Sequence, residues 1–139
     1  IILFTSCLSD DNSDFTKQTD ADIVKYINDN NLNATKTNSG LYYVINKEGI
    51  GPRPTHNSNV TVAYKGYFLD GEVFDQNPNG YTTKLNQVIP GWTEGITYFN
   101  EGAEGILLIP YNLGYGASGS GTIPGGAVLI FDIKLISIN

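Results

Sequence analysis

The chain has 139 residues and a formal net charge of −6 at pH 7. This length predicts one domain with a tail, large enough to bury a core without disulfides or metal. The eight Lys and Arg residues are scattered along the sequence, which excludes the clustered positive charge that a nucleic-acid partner requires. Sixteen Gly and an aromatic share of 12% are typical of a β-rich fold with many turns.

The N-terminal residues IILFTSC end at Cys7, the single cysteine of the chain. An apolar run followed by small residues and a cysteine resembles the end of a secretory signal with a bacterial lipobox. We therefore expect lipid on Cys7 and an anchor in the outer membrane of a bacterial cell envelope, on its periplasmic or surface face. The alternative is a buried or stray thiol, since one cysteine forms no internal disulfide.

A polar, acidic stretch follows Cys7 and predicts a flexible tether, so residues 1–18 comprise the signal remnant, the lipobox and the tether. Helical periodicity begins directly after it. Thr19 and Asp22 have the spacing of a capping box, and apolar residues recur at helical spacing behind them. We expect a short helix and a linker over residues 19–40. The helix either leans on the main domain or stands between that domain and the tether.

Strand patterns fill most of the remaining chain. The candidates, each bounded by turn residues, are 41–46, 60–69, 72–75, 81–85, 103–110 and 127–138. The clearest is 60–69, in which apolar and polar residues alternate as in a strand with one buried face. Asp70-Gly71 predicts a type I′ hairpin turn, and residues 77–80 (NPNG) predict a loop.

A helix from Trp92 to Asn100, ended by Gly102, is predicted between the fourth and fifth of these strands. Trp92 is the only tryptophan, and it fits either the core or the floor of a pocket. Residues 111–126 form a long Gly-rich loop. Together these elements predict an α+β fold in which an antiparallel sheet of five or six strands packs on one short helix.

Four motifs in this part of the chain resemble a known family. They are VTVAYKGYFLDGEVFD, LNQVIPGWTEGI, GILLIPYNLGYG and IPGGAVLIFDIKL. In this order and at these separations they are similar to the FKBP-type peptidyl-prolyl cis/trans isomerases, over about residues 41–139. The resemblance implies a curved sheet wrapped around the short helix, and an isomerase (rotamase) that accelerates rotation about X-Pro bonds of extracytoplasmic proteins. The preceding helix resembles the N-terminal extension of envelope members of the family.

The resemblance also assigns a pocket, residue by residue. The catalytic positions are Tyr64, Phe74, Asp75, Trp92, Tyr115 and Phe131. Further substrate-binding positions are Tyr81, Val88, Ile89 and Ile123. In that family the indole lies beneath the substrate proline, while a backbone N–H at Ile89 and the Tyr115 hydroxyl bind substrate carbonyls. The implied partners are proline-containing polypeptides and macrolide-type inhibitors, and no cofactor or metal is implied.

The sequence departs from the family pattern at the edge of this pocket. Thr83 stands where an aromatic residue is usual, with Tyr81 as the nearby substitute, and Gly125 replaces the usual second proline. The altered loop keeps an alternative open, a prolyl-peptide binding or chaperone module with little or no turnover. A purely structural lipoprotein is a third interpretation, but it leaves the aromatic positions unexplained.

Other motifs point to no further chemistry. Residues 114–119 match GxGxxG but lead into Ile123-Pro124 rather than a helix, which argues against a dinucleotide site. His56 has no Cys or Asp companion at ligand spacing, so neither a metal site nor a catalytic triad can be assembled.

Overall fold

A computed structural model describes residues 16–139. Cys7 and the predicted lipobox lie outside the described residues. The elements, in chain order, are α1 (Asp20–Asp29), β1 (Thr35–Lys36), β2 (Tyr42–Lys47), β3 (Asn59–Tyr67), β4 (Val73–Lys84), α2 (Pro90–Gly95), β5 (Glu104–Ile109) and β6 (Leu129–Ile138). Short 3₁₀ turns occupy Leu85–Gln87, Ile96–Tyr98 and Tyr111–Leu113.

The six strands form one antiparallel sheet in the order β1-β2-β5-β6-β3-β4. This confirms the predicted α+β fold. The long strands β6 and β3 pair next to the edge strand β4, from Val60 opposite Ile138 to Tyr67 opposite Ile130. Both strands alternate in burial as their sequences predict, because one face of the sheet packs against the core.

The main core lies between the sheet and α2. Trp92 and Ile96, from α2 and the turn after it, pack there with the inward residues of β3, β5 and β6. Pro90 occupies the first turn of α2, where its missing N–H costs no hydrogen bond. A Cβ at Gly91 would lie 2.6 Å from the Ile109 side chain, so glycine at this position lets α2 approach the sheet closely.

The opposite face of the sheet is covered by α1. Ile23 is fully buried there, in a second cluster with residues of β2, β5 and β6. The predicted capping box is present, with the Thr19 N–H donating to Asp22 Oδ2 at 2.7 Å. Of the two predicted placements, α1 therefore adopts the one in which it packs on the main domain.

The N-terminal segment meets the domain before α1 begins. Gln18, at the end of the predicted tether, donates its N–H to the Gly126 carbonyl at 2.9 Å. Its side-chain oxygen accepts the Val128 N–H at 2.8 Å. Gln18 is thus bound to residues directly before the last strand and is part of the folded domain.

The predicted type I′ turn at Asp70-Gly71 is wrong. The Gly71 N–H donates to the Phe68 carbonyl, so the turn has Leu69 and Asp70 at its centre, one residue earlier than expected. Gly71 has φ of 92°, whereas Asp70 does not have positive φ. The left-handed glycine after the turn accompanies a bulge in the β3–β4 register, and this bulge absorbs the extra residue.

The predicted loop at residues 77–80 is also wrong, because β4 runs unbroken from Val73 to Lys84. Asn77 pairs with Tyr64, and the next pair is Tyr81 with Val62, so the intervening residues form a bulge. Since β4 is an edge strand, it tolerates a proline that has no N–H to donate.

The helix expected from Trp92 to Asn100 begins two residues earlier, at Pro90, and ends at Gly95. The chain continues as a tighter 3₁₀ turn through Tyr98. Propensity does not distinguish these two conformations over so few residues.

Candidate active site

A cavity of about 470 Å³ opens where the first turn of α2 meets the concave face of the sheet. Each neighbouring element contributes to its wall. The strands provide Tyr64 from β3, Phe74, Asp75 and Tyr81 from β4, and Phe131 from β6. Gln87, Val88 and Ile89 precede α2, Trp92 lies within it, and Tyr115 comes from the Gly-rich loop.

The base of the cavity is a set of aromatic rings packed edge to face. The centroid of Trp92 lies 5.0 Å from that of Tyr64 and 5.3 Å from that of Phe131, with interplanar angles of 84° and 82°. Phe74 contacts Phe131 at 5.6 Å and 86°. Such pairs are favourable beyond the area they bury, so the rings hold one another in place.

Gly66 allows two of these rings to pack directly against the backbone of β3. A Cβ at this position would lie 2.7 Å from Phe131 Cε1 and 2.8 Å from Phe74 Cζ. Any larger residue would push the rings toward the cavity. The position of the apolar wall therefore depends on a residue that does not itself line it.

Polar groups lie along one edge of the cavity. The Tyr64 hydroxyl donates to Asp75 Oδ2 at 2.8 Å. Burial, and then the bond to this carboxylate, raise the pKa of Tyr64 well above its usual range. Burial and the nearby Asp75 charge also raise the pKa of Tyr115. Both hydroxyls are therefore protonated at neutral pH and can serve as hydrogen-bond donors.

Two donors at the edge have no acceptor within residues 16–139. The Ile89 N–H, directly before α2, and the hydroxyl of Tyr115 each lack an intramolecular hydrogen bond there. Tyr115 is 39% exposed, so its hydroxyl is accessible from the cavity mouth. Across the same part of the chain, Trp92 Nε1 is the buried side-chain nitrogen or oxygen that has no partner.

Residues 111–126, which we call the rim loop, border the cavity through Tyr115. The loop is closely packed on itself. A Cβ at Gly125 would lie 2.0 Å from the Ala117 carbonyl oxygen, so the glycine that replaces the family's proline permits this contact. Ser120 and Ile123 bond to each other in both directions, and the Gly126 N–H donates to the Gly116 carbonyl.

Nine of the ten residues assigned from the resemblance line the cavity, and Ile123 does not. It lies within the rim loop, where its side chain is partly buried and packs against the main core. Tyr81, the substitute for an aromatic residue at position 83, lines the cavity and lies 6.3 Å from Tyr64 between ring centroids. Gln87 lines the cavity but was not assigned from the sequence. Its place before the Val88-Ile89 pair was the available signal.

Within residues 16–139 there is no group of three or more His, Cys, Asp or Glu side chains that could hold a metal ion. No helix in that range has both the length and the apolar content to cross a membrane.

The cavity has an apolar aromatic base. At its edge are two donors, the Ile89 N–H and the Tyr115 hydroxyl, that lack an acceptor within residues 16–139. These features define a class of proteins, in which a curved antiparallel sheet surrounds a short helix and an aromatic cavity at their junction suits a small apolar group next to hydrogen-bond acceptors.

The comparisons with known proteins agree with this class. The model of the FKBP-type peptidyl-prolyl cis-trans isomerase family matches residues 51–136. A probable FKBP-type peptidyl-prolyl cis-trans isomerase FkpA from Neisseria meningitidis serogroup B is 48% identical over 106 residues, which cover 73% of this chain and 39% of the relative. The chain therefore belongs to the FKBP-type peptidyl-prolyl cis-trans isomerase family.

Solved structures show the same fold. The crystal structure of FkpA from Escherichia coli matches with a TM-score of 0.79 and 31% identity, over 86% of this chain and 58% of that one. A peptidyl-prolyl cis-trans isomerase from Pseudomonas syringae pv. tomato matches with a TM-score of 0.77 and 31% identity, over 86% and 91%. The chain spans about two fifths of the length of the curated relatives that it matches.

Proposed function

We propose that this chain is a peptidyl-prolyl cis-trans isomerase acting on proline-containing polypeptides. The observation that carries the proposal is the aromatic cavity over Trp92, with unpaired donors at its edge. A pyrrolidine ring is small and apolar and suits such a base. The carbonyls on either side of the prolyl bond are acceptors that suit the donors.

The reaction needs no nucleophile and no proton transfer to the reacting amide. Rotation about the bond faces a barrier of about 18–20 kcal/mol that comes from amide resonance. The planar amide carries more charge on its carbonyl than the twisted one does, and water stabilises that charge. An apolar wall that excludes water lowers the free-energy difference between the planar and the twisted amide. Each tenfold gain in rate requires about 1.4 kcal/mol, so a few well-placed contacts suffice.

The donors hold the substrate in the geometry that rotation requires. We assign the Ile89 N–H and the Tyr115 hydroxyl to substrate carbonyls on the two sides of the prolyl bond. Tyr64 has a different role, because its hydroxyl is already bonded to Asp75. This bond orients both side chains at the cavity edge, and the carboxylate acts there as an acceptor. Macrolide-type inhibitors would compete for the same cavity.

We further propose that the protein acts in the bacterial cell envelope, attached to the outer membrane through lipid on Cys7. The support is the pattern of small residues before this cysteine and the acidic stretch after it. No other membrane attachment is proposed. Cells that express the protein should incorporate a fatty-acid probe into it. A Cys7→Ala variant that incorporates the probe equally would contradict the proposal.

The activity is tested by following cis–trans exchange of a single-proline peptide by NMR, which requires no coupling protease. We expect catalytic amounts of protein to accelerate exchange, and a Phe74→Ala variant to lose most of the acceleration. Because Phe74 is only partly buried, this variant should still fold. If activity and the free energy of unfolding fall in parallel, Phe74 contributes to the core and not to catalysis.

The alternative function, a binding or chaperone module without turnover, rests on the altered rim loop with Gly125. The same peptide distinguishes the two, because its binding should change the fluorescence of Trp92 in either case. Binding together with unaccelerated exchange would favour the module.

A further inference from the structure

A second cavity of about 490 Å³ adjoins the aromatic cavity over Trp92, which we call the prolyl cavity, and Phe74 lines both of them. It lies between the β3–β4 hairpin and the end of the rim loop. We call it the flanking groove and define it by Gln18, Phe68, Asp70, Glu72, Phe74 and Pro124. None of the ten positions assigned from the family resemblance, other than Phe74, belongs to it.

The floor of the flanking groove continues the aromatic base of the prolyl cavity. The Phe68 and Phe74 ring centroids are 4.8 Å apart, and Phe74 lies 5.6 Å from Phe131. Consecutive residues of an extended chain are spaced by about 3.3 Å. An extended polypeptide whose proline lies over Trp92 can therefore reach the flanking groove with its neighbouring residues.

The far wall of the groove is fixed by hydrogen bonds. Gln18 bonds to Gly126 and Val128, which places it beside the end of the rim loop. On the opposite side, Asp70 Oδ1 accepts the Glu72 N–H at 2.9 Å and holds the hairpin tip. The groove thus has ordered walls before any ligand binds, which lowers the entropic cost of binding.

The charge at the groove is negative. Asp70 and Glu72 are both exposed, and neither takes part in an ion pair in the described part of the chain. Lys17 packs on Gly126 and forms no ion pair with either carboxylate. The chain's own residues 8–15 carry three Asp and no Lys or Arg, so like charge disfavours them as occupants.

We propose that the flanking groove binds the substrate residues next to the proline and selects Lys or Arg there. An aliphatic stem would lie on the apolar floor while its positive head group faces Asp70 and Glu72. This inference rests on the proposed isomerase function and adds a substrate preference to it. Exposed charge pairs act mainly on encounter and on specificity, and salt screens them.

The test compares peptides that each contain one X-Pro bond and extend several residues to either side. Lys, Ala or Glu is placed at each flanking position in turn, and kcat/KM is measured by NMR exchange. At one or more positions we expect kcat/KM for the Lys peptide to be about fivefold higher than for the Glu peptide at low ionic strength. Added salt should reduce this ratio.

Charge reversal identifies the groove as the source of the preference. Glu72→Lys should reverse the order of the Lys and Glu peptides. Glu48→Lys makes the same charge change at an exposed residue outside both cavities, so it should leave the order unchanged. Equal rates for Lys and Glu peptides would overturn the inference. So would a preference that survives Glu72→Lys, or one that Glu48→Lys reverses equally.

Failure of the isomerase function is recognised separately. If the wild-type protein accelerates no peptide, that function is wrong. The same peptides, titrated while Trp92 fluorescence is recorded, then give a ratio of Kd values. A ratio near one overturns the inference about the groove, and a ratio that favours Lys supports it.

Discussion

Replacing Gly66 by alanine tests whether the position of the aromatic wall matters for catalysis. The added Cβ would lie 2.7 Å from Phe131 Cε1 and 2.8 Å from Phe74 Cζ. Carbon atoms at their optimal separation are about 3.5–4.0 Å apart, so both rings must withdraw by about 1 Å. Gly66 does not have positive φ, so the backbone accepts alanine and the effect comes from the rings.

Overpacking of this size costs about 1–3 kcal/mol, and the less flexible unfolded chain of the alanine variant recovers about 0.4–1 kcal/mol. We therefore expect Gly66→Ala to lose about 1–2 kcal/mol of stability, measured by urea unfolding, and to remain folded. A misplacement of about 1 Å near reacting groups can cost about 10²-fold in rate. We accordingly expect kcat/KM to fall by more than about tenfold.

Gly95→Ala is the matched control. Its Cβ would lie 2.7 Å from Leu107 Cδ2, in the core and away from the cavity. Its stability should fall by a similar amount, but its kcat/KM should fall much less. A Gly66→Ala variant with wild-type kcat/KM would refute the reasoning that the rings must stand where they do.

Two further predictions concern the surroundings of the site. Gln18→Ala removes the acceptor for the Val128 N–H, so we expect a loss of about 1 kcal/mol and faster hydrogen exchange at Val128; unchanged protection would contradict this role. Burial, and then the bond to Glu94, raise the pKa of Tyr98 to about 12. An unfolded tyrosine ionises near pH 10. The free energy of unfolding should therefore be unaffected below that pH and should fall as the pH rises toward 12. The fall should be less steep in Tyr98→Phe, and identical slopes in the two proteins would contradict this cause.

Local periodicity was enough to predict the elements that bury one face against the core. Strands β3 and β6 were predicted because their apolar residues alternate, and α1 because Thr19 and Asp22 cap it. Local periodicity failed where the conformation of a segment depends on its position in the sheet. An NPNG sequence resembles a loop, yet β4 runs through it because an edge strand tolerates both a proline and a bulge.

The site was predictable from the family motifs rather than from periodicity. These motifs identified Tyr64, Trp92 and three further aromatic residues of the cavity, which the fold brings together from three strands, α2 and the rim loop. They assigned Ile123 to a pocket, but its bonds to Ser120 belong to a loop conformation that the sequence pattern does not specify. The contact of Gln18 with Val128, directly before the last strand, escaped prediction for a similar reason, since it joins residues 110 apart.

The most direct test of the central claim, that an aromatic cavity catalyses prolyl rotation without covalent chemistry, is the NMR exchange rate of a single-proline peptide. The peptide is measured with and without catalytic amounts of the wild-type protein. We predict faster, saturable exchange, together with a change in Trp92 fluorescence over the same concentration range. An exchange rate equal to that of the free peptide, despite a fluorescence change that shows binding, would contradict the claim.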